Sequence, residues 1–310
     1  MHVGPSRHRS ATLAALLGVA VWLPAARAQA FCLTTTCDTQ ADGCETDSDG
    51  CSASGIPLQW GSPCLYYGVQ RDGSARRQVS ADTVSDLMQQ SFATWMSADC
   101  GTGMPPFVVQ SIGEVACDQP EFNCDPDDAN ANTVMFRDEL WHYDRAALAI
   151  TTLTVDVRDG TILDADMEVN SLGFDFSVGD SNVNNDLLSV LTHESGHYLG
   201  LSHSNVDGST MFPGYSSREV TQRSLSADDI AGICEIYPPG RTLTCDVTVP
   251  SSTQCVGGSE CPDTEQTKQA SSCRLSVAPG STPSGLFGWF VALGMSLLTV
   301  VRRVRRSTPA

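Results

Sequence analysis

The chain has 310 residues, of which 41% are apolar, and it carries 36 acidic against 18 basic side chains, a formal net charge of −18. This length allows one sizeable domain with appendages or two small domains. A surface this negative repels a phosphate backbone, so the composition argues against nucleic acid as a partner.

The N-terminus has the features of an export signal, predicted at residues 1–30. Arg7 and Arg9 precede an apolar run at 11–23, and the small residues that follow fit cleavage after Ala28 or Ala30. A membrane-spanning helix is the alternative, but thirteen apolar residues are too few to cross a bilayer. We therefore expect an exported chain on the extracellular side of the envelope, at the cell surface.

The thirteen cysteines agree with export, because they lack the paired CxxC spacing of structural zinc sites and suit disulfides in an oxidising compartment. Their odd number leaves at least one thiol free, modified or paired between chains. The connectivity stays open at this stage. The short loop between Cys117 and Cys124 suggests one pair, and Cys64 with Cys100, which bracket the first strand and helix, suggest another.

The elements change in character along the chain. Residues 31–56 hold four cysteines and almost no apolar periodicity, which indicates a small disulfide-tied segment. Residues 57–239 alternate apolar runs with turns and form the main predicted domain. Strands rich in apolar and β-branched residues are predicted at 64–69, 132–138, 147–157 and from 162–170.

Helices are predicted at 80–96, 187–199 and 226–237. Ser80 caps the first, whose apolar face comprises Val84, Leu87, Met88, Phe92 and Trp95. Asp186 or Asn185 caps the second, and Ser226 with Asp229 resembles a capping box at the third. A few strands with two long helices indicate an α+β fold.

The C-terminal part of the chain predicts an anchored stalk. Residues 240–284 hold four cysteines and little to build a core from, whereas 285–301 are mostly apolar and are followed by a basic tail at 302–310. Seventeen residues are the lower limit for a spanning or sorting helix, and the arginines place its end in the cytoplasm. A buried core helix is the weaker alternative. We expect a membrane anchor through 285–301.

The stretch HESGHYLGLSH, residues 193–203, contains three of the six histidines. On a helix, His193 and His197 lie on the same face one turn apart. Gly200 permits a positive φ, so it can end the helix and return His203 toward the other two. Three nitrogen ligands leave a fourth position for water, which is the arrangement of a catalytic zinc ion.

Glu194 lies beside the first of these ligands, where it can hold a water bound to the ion. Zinc lowers the pKa of such a water toward about 7, and Glu194 can take its proton and pass it to a leaving amine. The alternative is that the histidines fill ordinary positions, but the spacing arises by chance on the order of once in 10⁵ chains of this composition and length. We therefore predict one catalytic zinc held by His193, His197 and His203.

The extended pattern H-E-x-x-H-x-x-G-x-x-H resembles the signature of the metzincin metalloproteases, which also have a methionine turn downstream. The stretch GSTMFPGY at 208–215 supplies such a turn, and the resemblance implies that Met211 packs beneath the zinc without binding it. Ser204 after the third histidine, and Tyr215 four residues after Met211, are as in the matrixins. The segments 165–170, 186–204 and 225–237 resemble those of matrixins, bacterial ones especially. The resemblance covers about 57–239 and implies a mixed twisted sheet with two long helices, one carrying the site.

Two features of the animal matrixins are missing from this sequence. Their second, structural zinc needs upstream histidines, and this region has only His142; a cysteine-containing latency stretch is absent too. The family often binds calcium near acidic loops, which makes calcium a second candidate cofactor. Its candidate ligands are Asp125, Asp127, Asp164, Asp166 and the acidic turn at 47–50. At each of them a solvated turn is the favoured interpretation.

The residues and the resemblance together predict an exported zinc endopeptidase that cleaves protein or peptide substrates with a zinc-bound water activated by Glu194. The alternative is a catalytically silent surface module, for adhesion or binding, that kept the fold. Because a decayed site loses its base or a ligand and all four residues are present, the sequence favours the enzyme. The resemblance assigns 212–224 to the wall of the S1′ pocket, while substrate preference and oligomeric state stay open.

Overall fold

The computed structural model describes residues 30–37, 43–122 and 130–240, together with Met1, Cys245 and the strand segments 269–271 and 295–304. The predicted export signal, most of the predicted stalk and the first part of the predicted spanning helix lie outside these residues.

Eleven strands and three α-helices occur in the described residues. The strands are β1 (Gln59–Trp60), β2 (Cys64–Gln70), β3 (Val108–Val115), β4 (Thr133–Phe136), β5 (Ala147–Asp156), β6 (Thr161–Val169), β7 (Phe176–Ser177), β8 (Asn185–Asp186), β9 (Gly214–Tyr215), β10 (Gln269–Ser271) and β11 (Met295–Val304). The helices are α1 (Ala81–Met96), α2 (Leu187–Tyr198) and α3 (Ala227–Ile236), with a 3₁₀ turn at Thr221–Arg223. The predicted strands correspond to β2, β4, β5 and β6, whereas β3 was not predicted.

Nine of the described strands form one twisted sheet in which most neighbours are parallel. The order is β10-β11-β5-β6-β4-β2-β3, with β1 pairing β6 and β9 pairing β11. Strands β2, β3, β4 and β6 run parallel, and β5 runs antiparallel to β6. The mixed sheet with two long helices confirms the predicted α+β fold of the metzincin type.

Helix α1 is amphipathic and packs its apolar side against the sheet and α2. The Ser80 side chain caps the helix by accepting a hydrogen bond from the Thr83 backbone N–H, as the sequence predicts. Phe92 and Trp95 are fully buried. The Trp95 indole donates to the carbonyl of Thr192 at 2.8 Å, so α1 fixes the position of the helix that carries the histidine motif.

The caps predicted for α2 and α3 are confirmed. The Asp186 carboxylate accepts a hydrogen bond from the Ser189 backbone N–H at 2.9 Å. It also receives two hydrogen bonds from the Arg223 guanidinium, at 2.7 and 2.6 Å. Ser226 and Asp229 form a reciprocal capping box at the start of α3. At both helix N-termini, side chains therefore accept from backbone N–H groups that lack a partner within the helix.

Four disulfides are described in full: Cys32–Cys51, Cys37–Cys44, Cys64–Cys245 and Cys100–Cys234. The predicted pairing of Cys64 with Cys100 is therefore wrong. Cys100 follows α1 at the point where α3 packs nearby, so its partner comes from α3, 134 residues away in sequence. Cys117 is also disulfide-bonded. Its predicted partner, Cys124, lies outside the described residues.

The C-terminal segment differs from its prediction. Residues 295–304 form strand β11, which runs parallel to β5, so the structure corrects the predicted helix over 295–301. Thr299, Val300 and Val301 are β-branched, which favours extended backbone, and pairing with β5 provides backbone hydrogen bonds for the segment. Within the described part of the chain, no helix combines the length and the apolar character needed to cross a membrane.

We expect removal of the Cys100–Cys234 disulfide to lower the free energy of unfolding by roughly 2–5 kcal/mol, because the bond closes a long loop in the unfolded chain. Urea unfolding of Cys100→Ser/Cys234→Ser, compared with the unaltered chain, measures this loss. The control is Cys37→Ser/Cys44→Ser, where the cysteines are only 7 residues apart and the loss should be about half as large. Equal losses in the two double variants would contradict the loop-closure argument.

Candidate metal centre

Helix α2 presents two of the three motif histidines inside the protein. His193 and His197 are one turn apart, both are buried, and their Nε2 atoms lie 3.0 Å from each other. Every residue of α2 from 189 to 198 is buried. Polar side chains on such a helix must find partners within the protein or in a ligand.

The loop after α2 brings the third histidine to the same point. Gly200 has a φ of +99°, and a Cβ at this position would lie 2.4 Å from the carbonyl oxygen of Leu58, so only glycine fits. The chain then returns His203, whose Nε2 lies 3.2 Å from that of His197. One ring nitrogen from each histidine lies within 4.8 Å of the other two.

Backbone carbonyls set the orientation of two of the rings. The Nδ1 atom of His193 lies 2.7 Å from the carbonyl oxygen of Thr210, and Nδ1 of His197 lies 2.9 Å from that of Leu201. Because a carbonyl oxygen only accepts, Nδ1 is the protonated nitrogen in each neutral ring. The Nε2 atoms therefore carry free lone pairs, which is the form in which imidazole binds a metal.

The three-histidine cluster fits a divalent cation. Burial, and then the neighbouring histidines, lower the pKa of His193 and His197 well below the usual value, so both rings are neutral at physiological pH. Lone pairs directed at one another over such short distances repel unless a cation lies between them. Three imidazole nitrogens with room for a fourth ligand suit zinc.

Glu194 is fully buried and uses only one of its carboxylate oxygens within the protein. Its Oε2 accepts a hydrogen bond from the Thr151 hydroxyl at 2.6 Å, while Oε1 has no hydrogen-bond partner among the described residues. Burial raises the pKa of Glu194 to about 8, and the Thr151 hydrogen bond opposes this shift. A buried acceptor of this kind is suited to a hydrogen bond from a water or a substrate.

Met211, for which the resemblance implies a place beneath the zinc, packs against the motif helix. It is buried, and a Cβ added to Gly196 would lie 2.2 Å from the Met211 sulfur, so the two segments are in close contact. The turn is tied to the loop that follows the third histidine, because the Ser204 backbone N–H donates to the carbonyl of Met211 at 2.8 Å.

Two residues that support the site were not predicted for that role. Asp229, expected only as a helix cap, also accepts hydrogen bonds from the backbone N–H groups of Thr210 and Met211, at 2.8 and 3.0 Å. Thr151 lies on β5, 43 residues from the glutamate whose carboxylate it holds. Asp229 already follows the motif in the capping-box pattern, but no sequence signal connects Thr151 with the motif.

The calcium candidates among the described residues are not part of this cluster. Asp164 and Asp166 are buried on β6, and the Asp166 carboxylate accepts from the backbone N–H groups of Glu121 and Thr133. In the part of the chain that the structure describes, the three histidines are the one group of three or more metal-ligand side chains. The Asp47 carboxylate accepts from the backbone of its own turn. Asp125 and Asp127 lie outside the described residues.

Comparison with known proteins agrees with the geometry. Residues 121–238 match the family model of the matrixin peptidases. The chain is 38% identical over 95 residues to metalloendoproteinase 1-MMP of Arabidopsis thaliana, 48% over 64 residues to matrilysin of Mus musculus, and 47% over 57 residues to neutrophil collagenase of Homo sapiens.

These alignments cover 30%, 21% and 18% of this chain, and 23%, 24% and 12% of the respective relatives. The chain thus spans about a quarter or less of the length of each of these relatives. Within that span, the fold and the three-histidine cluster define a metzincin domain. The family match is more specific: residues 121–238 are similar to the matrixin peptidases.

We expect Gly196→Ala to destabilise the protein by about 1–3 kcal/mol, because the added methyl group collides with Met211 and Trp95 in a tightly packed interior. Zinc binding should weaken as well, since the contact lies between the two histidines of the helix. Urea unfolding and zinc titration measure the two effects.

The matched control for this change is Gly61→Ala, where the nearest atom to an added Cβ is a Thr161 methyl at 3.3 Å. It should change the free energy of unfolding by less than about 0.5 kcal/mol. If Gly196→Ala were as mild as Gly61→Ala, Met211 would not be packed against the motif helix as described.

Proposed function

We propose that this protein is an exported zinc-dependent endopeptidase. The observation that carries the proposal is the convergence of three imidazole rings beside a buried carboxyl group with one oxygen free for a ligand. The relatives are named as a metalloendoproteinase, a matrilysin and a collagenase, which supports hydrolysis of peptide bonds as the reaction.

His193, His197 and His203 would hold the zinc through Nε2. When bound, the ion would acidify a water and polarise the carbonyl of the peptide bond to be cleaved. Because the Nδ1 atoms of His193 and His197 are engaged by backbone carbonyls, these rings need no rearrangement to bind metal.

Glu194 is the general base and then the general acid of this proposal. A zinc ion beside Glu194 would favour the ionised carboxylate and so oppose the effect of burial. The Oε1 atom of Glu194 could then accept the proton from the attacking water, and the same carboxyl group could deliver it to the departing amine. The hydrogen bond from Thr151 to Oε2 keeps the carboxylate in one orientation, so Oε1 is the atom available for the proton. The buried environment excludes other water from the step.

Substrate side chains have a candidate pocket beside the methionine turn. Its lining includes Ser209, Phe212, Tyr215 and Gln222, all from the part of the chain predicted to contribute to the S1′ wall or adjacent to it. The Gln222 side chain donates to the carbonyl of Phe212 at 2.9 Å and so ties this wall together. The mixed lining, aromatic and polar, suits a medium-sized side chain of a protein substrate.

Glu194→Gln should keep zinc binding and lose turnover, because the carboxylate serves the water and not the metal. We expect peptide hydrolysis to fall by about 10²–10⁴-fold, the usual contribution of a positioned acid–base group. Zinc stoichiometry and cleavage of a mixed library of quenched peptides are measured on the same samples.

Two histidine variants make this test specific. His197→Ala should lose zinc and activity together, since two nitrogen ligands make a poor site. His142→Ala, an exposed histidine outside the cluster, should change neither. Full turnover in Glu194→Gln would reject the mechanism. An unaltered protein that binds zinc and cleaves nothing in the library would instead favour a binding module.

The C-terminal strand bears on access to this site. Thr299 of β11 pairs with Thr151 of β5, the residue whose hydroxyl holds Glu194. Without β11, β5 would be an edge strand beside the site, and an extended peptide could bind there by adding a strand. Strand β11 and a membrane-spanning helix are alternative conformations of the same residues, so anchoring requires that β11 leave this edge.

A chain lacking residues 285–310 should therefore have a lower KM for peptides than the full-length protein, with zinc stoichiometry unchanged. Steady-state kinetics of the two purified forms measures the difference, and membrane fractionation of cells producing each form tests anchoring. An unchanged KM would show that β11 does not limit access. Full-length protein recovered without detergent and with its tail intact would contradict the anchor.

A further inference from the structure

An N-terminal segment far outside the motif runs alongside the loop that carries the third histidine. The Thr34 backbone N–H donates to the carbonyl of Gly200 at 3.0 Å, and the Ser202 N–H donates to the carbonyl of Cys32 at 2.9 Å. Leu33 and Leu201 thereby form an antiparallel bridge. The loop between the second and third histidines is thus one side of a small ladder, and residues 32–34 are the other.

This ladder includes a side chain that reaches the hydrogen-bond partner of a metal ligand. The Thr34 hydroxyl donates to the carbonyl oxygen of Leu201 at 3.0 Å, and the same oxygen lies 2.9 Å from Nδ1 of His197. A carbonyl oxygen has two lone pairs, and here both are used. Thr34 therefore fixes the direction of the acceptor that orients His197.

Backbone hydrogen bonds and a disulfide connect this segment to other parts of the N-terminal chain. The Leu58 N–H donates to the carbonyl of Thr34 at 2.8 Å, the Thr36 N–H donates to the carbonyl of Ile56 at 2.9 Å, and the disulfide joins Cys32 to Cys51. The loop between Cys32 and Cys51 also reaches the far side of His203, because the Asn205 amide donates to the carbonyl of Asp49. Contacts therefore lie on both sides of the third histidine.

We propose that residues 32–34, closed by the Cys32–Cys51 disulfide, act as a clamp that positions His197 and His203 for metal binding. The proposal rests on the zinc function above and assigns the role to a part of the chain outside the matrixin match at 121–238. Thr34 is its central positioning residue. Loss of a hydrogen-bond partner that orients a metal-binding histidine typically weakens metal binding by roughly 10- to 100-fold.

The test compares zinc dissociation constants, obtained by competition with a chelator, for the full chain and its variants. Thr34→Val removes the hydroxyl and keeps the shape, so it should raise the zinc Kd about 10-fold or more. Thr34→Ser keeps the hydroxyl and should restore affinity to within about threefold of the unaltered chain. Cys32→Ser/Cys51→Ser should weaken zinc binding at least as much as Thr34→Val.

The matched control is Thr36→Val, which removes a hydroxyl from the same segment. That hydroxyl accepts from the Ile56 N–H and does not touch the metal loop, so the zinc Kd should stay within about threefold. Unfolding midpoints of the metal-free variants separate positioning from stability. A merely structural segment would give Thr34→Val and Thr36→Val similar losses of stability and no difference in zinc Kd.

A failure of the proposed function can be distinguished from a failure of the clamp. If the unaltered chain binds no zinc, the proposed function and the clamp are both overturned. If it binds zinc and Thr34→Val has the same Kd, the clamp alone is overturned. Because Thr34→Val carries this comparison, the outcome does not depend on whether the cysteine double variant folds.

Discussion

The three motif histidines, whose ring nitrogens lie within 4.8 Å of one another, are the constraint on which the rest of the site depends. The lone pairs of neighbouring Nε2 atoms repel, and burial prevents His193 and His197 from relieving the repulsion by taking up protons. A chain free to relax would separate them. The surrounding structure must therefore hold the three rings in place before a cation compensates for the cost, and most features near the site serve that need.

The supports come from widely separated parts of the chain. The Trp95 indole and the Ser91 hydroxyl of α1 donate to the backbone of α2, and Asp229 at the start of α3 fixes the methionine turn under it. Thr151 on β5 holds the glutamate. Each contact is directional and buried, so none of these partners can be lost without leaving an unsatisfied polar group inside the protein.

The features that could be predicted from the sequence are those that depend on residues close to one another along the chain. Caps and amphipathic faces depend on residues within four positions, so Ser80, Asp186 and Ser226 were correctly predicted to begin helices. The histidine motif is local too, because one helical turn and one glycine determine its geometry. Strand β3 has mixed exposure and was missed, since its apolar alternation is interrupted by polar residues and Gly113.

Contacts between residues far apart in the chain could not be predicted from the sequence, for a physical reason. Cys64 pairs with Cys245, and spacing along the chain carries no information about which distant segments a fold brings together. The same holds for the tail. Apolar length predicted a helix at 285–301, but an unpaired strand edge on β5 offers the backbone hydrogen bonds that let a β-branched segment extend instead. Neither the partner of Cys64 nor the free edge of β5 can be identified before the arrangement of the sheet is known.

The N-terminal segment shows where the functional unit ends. Composition separated residues 31–56 from the main predicted domain at 57–239, because that segment lacks the apolar residues of a core. Hydrogen bonds nevertheless join this N-terminal segment to the main predicted domain. The carbonyls of Gly200 and Leu201 both accept from Thr34. The metal loop reverses at Gly200, and its backbone beyond this point pairs with residues 32–34. The hydrogen-bonded neighbours of the metal loop therefore include residues 32 and 34, which precede the family resemblance at about 57–239.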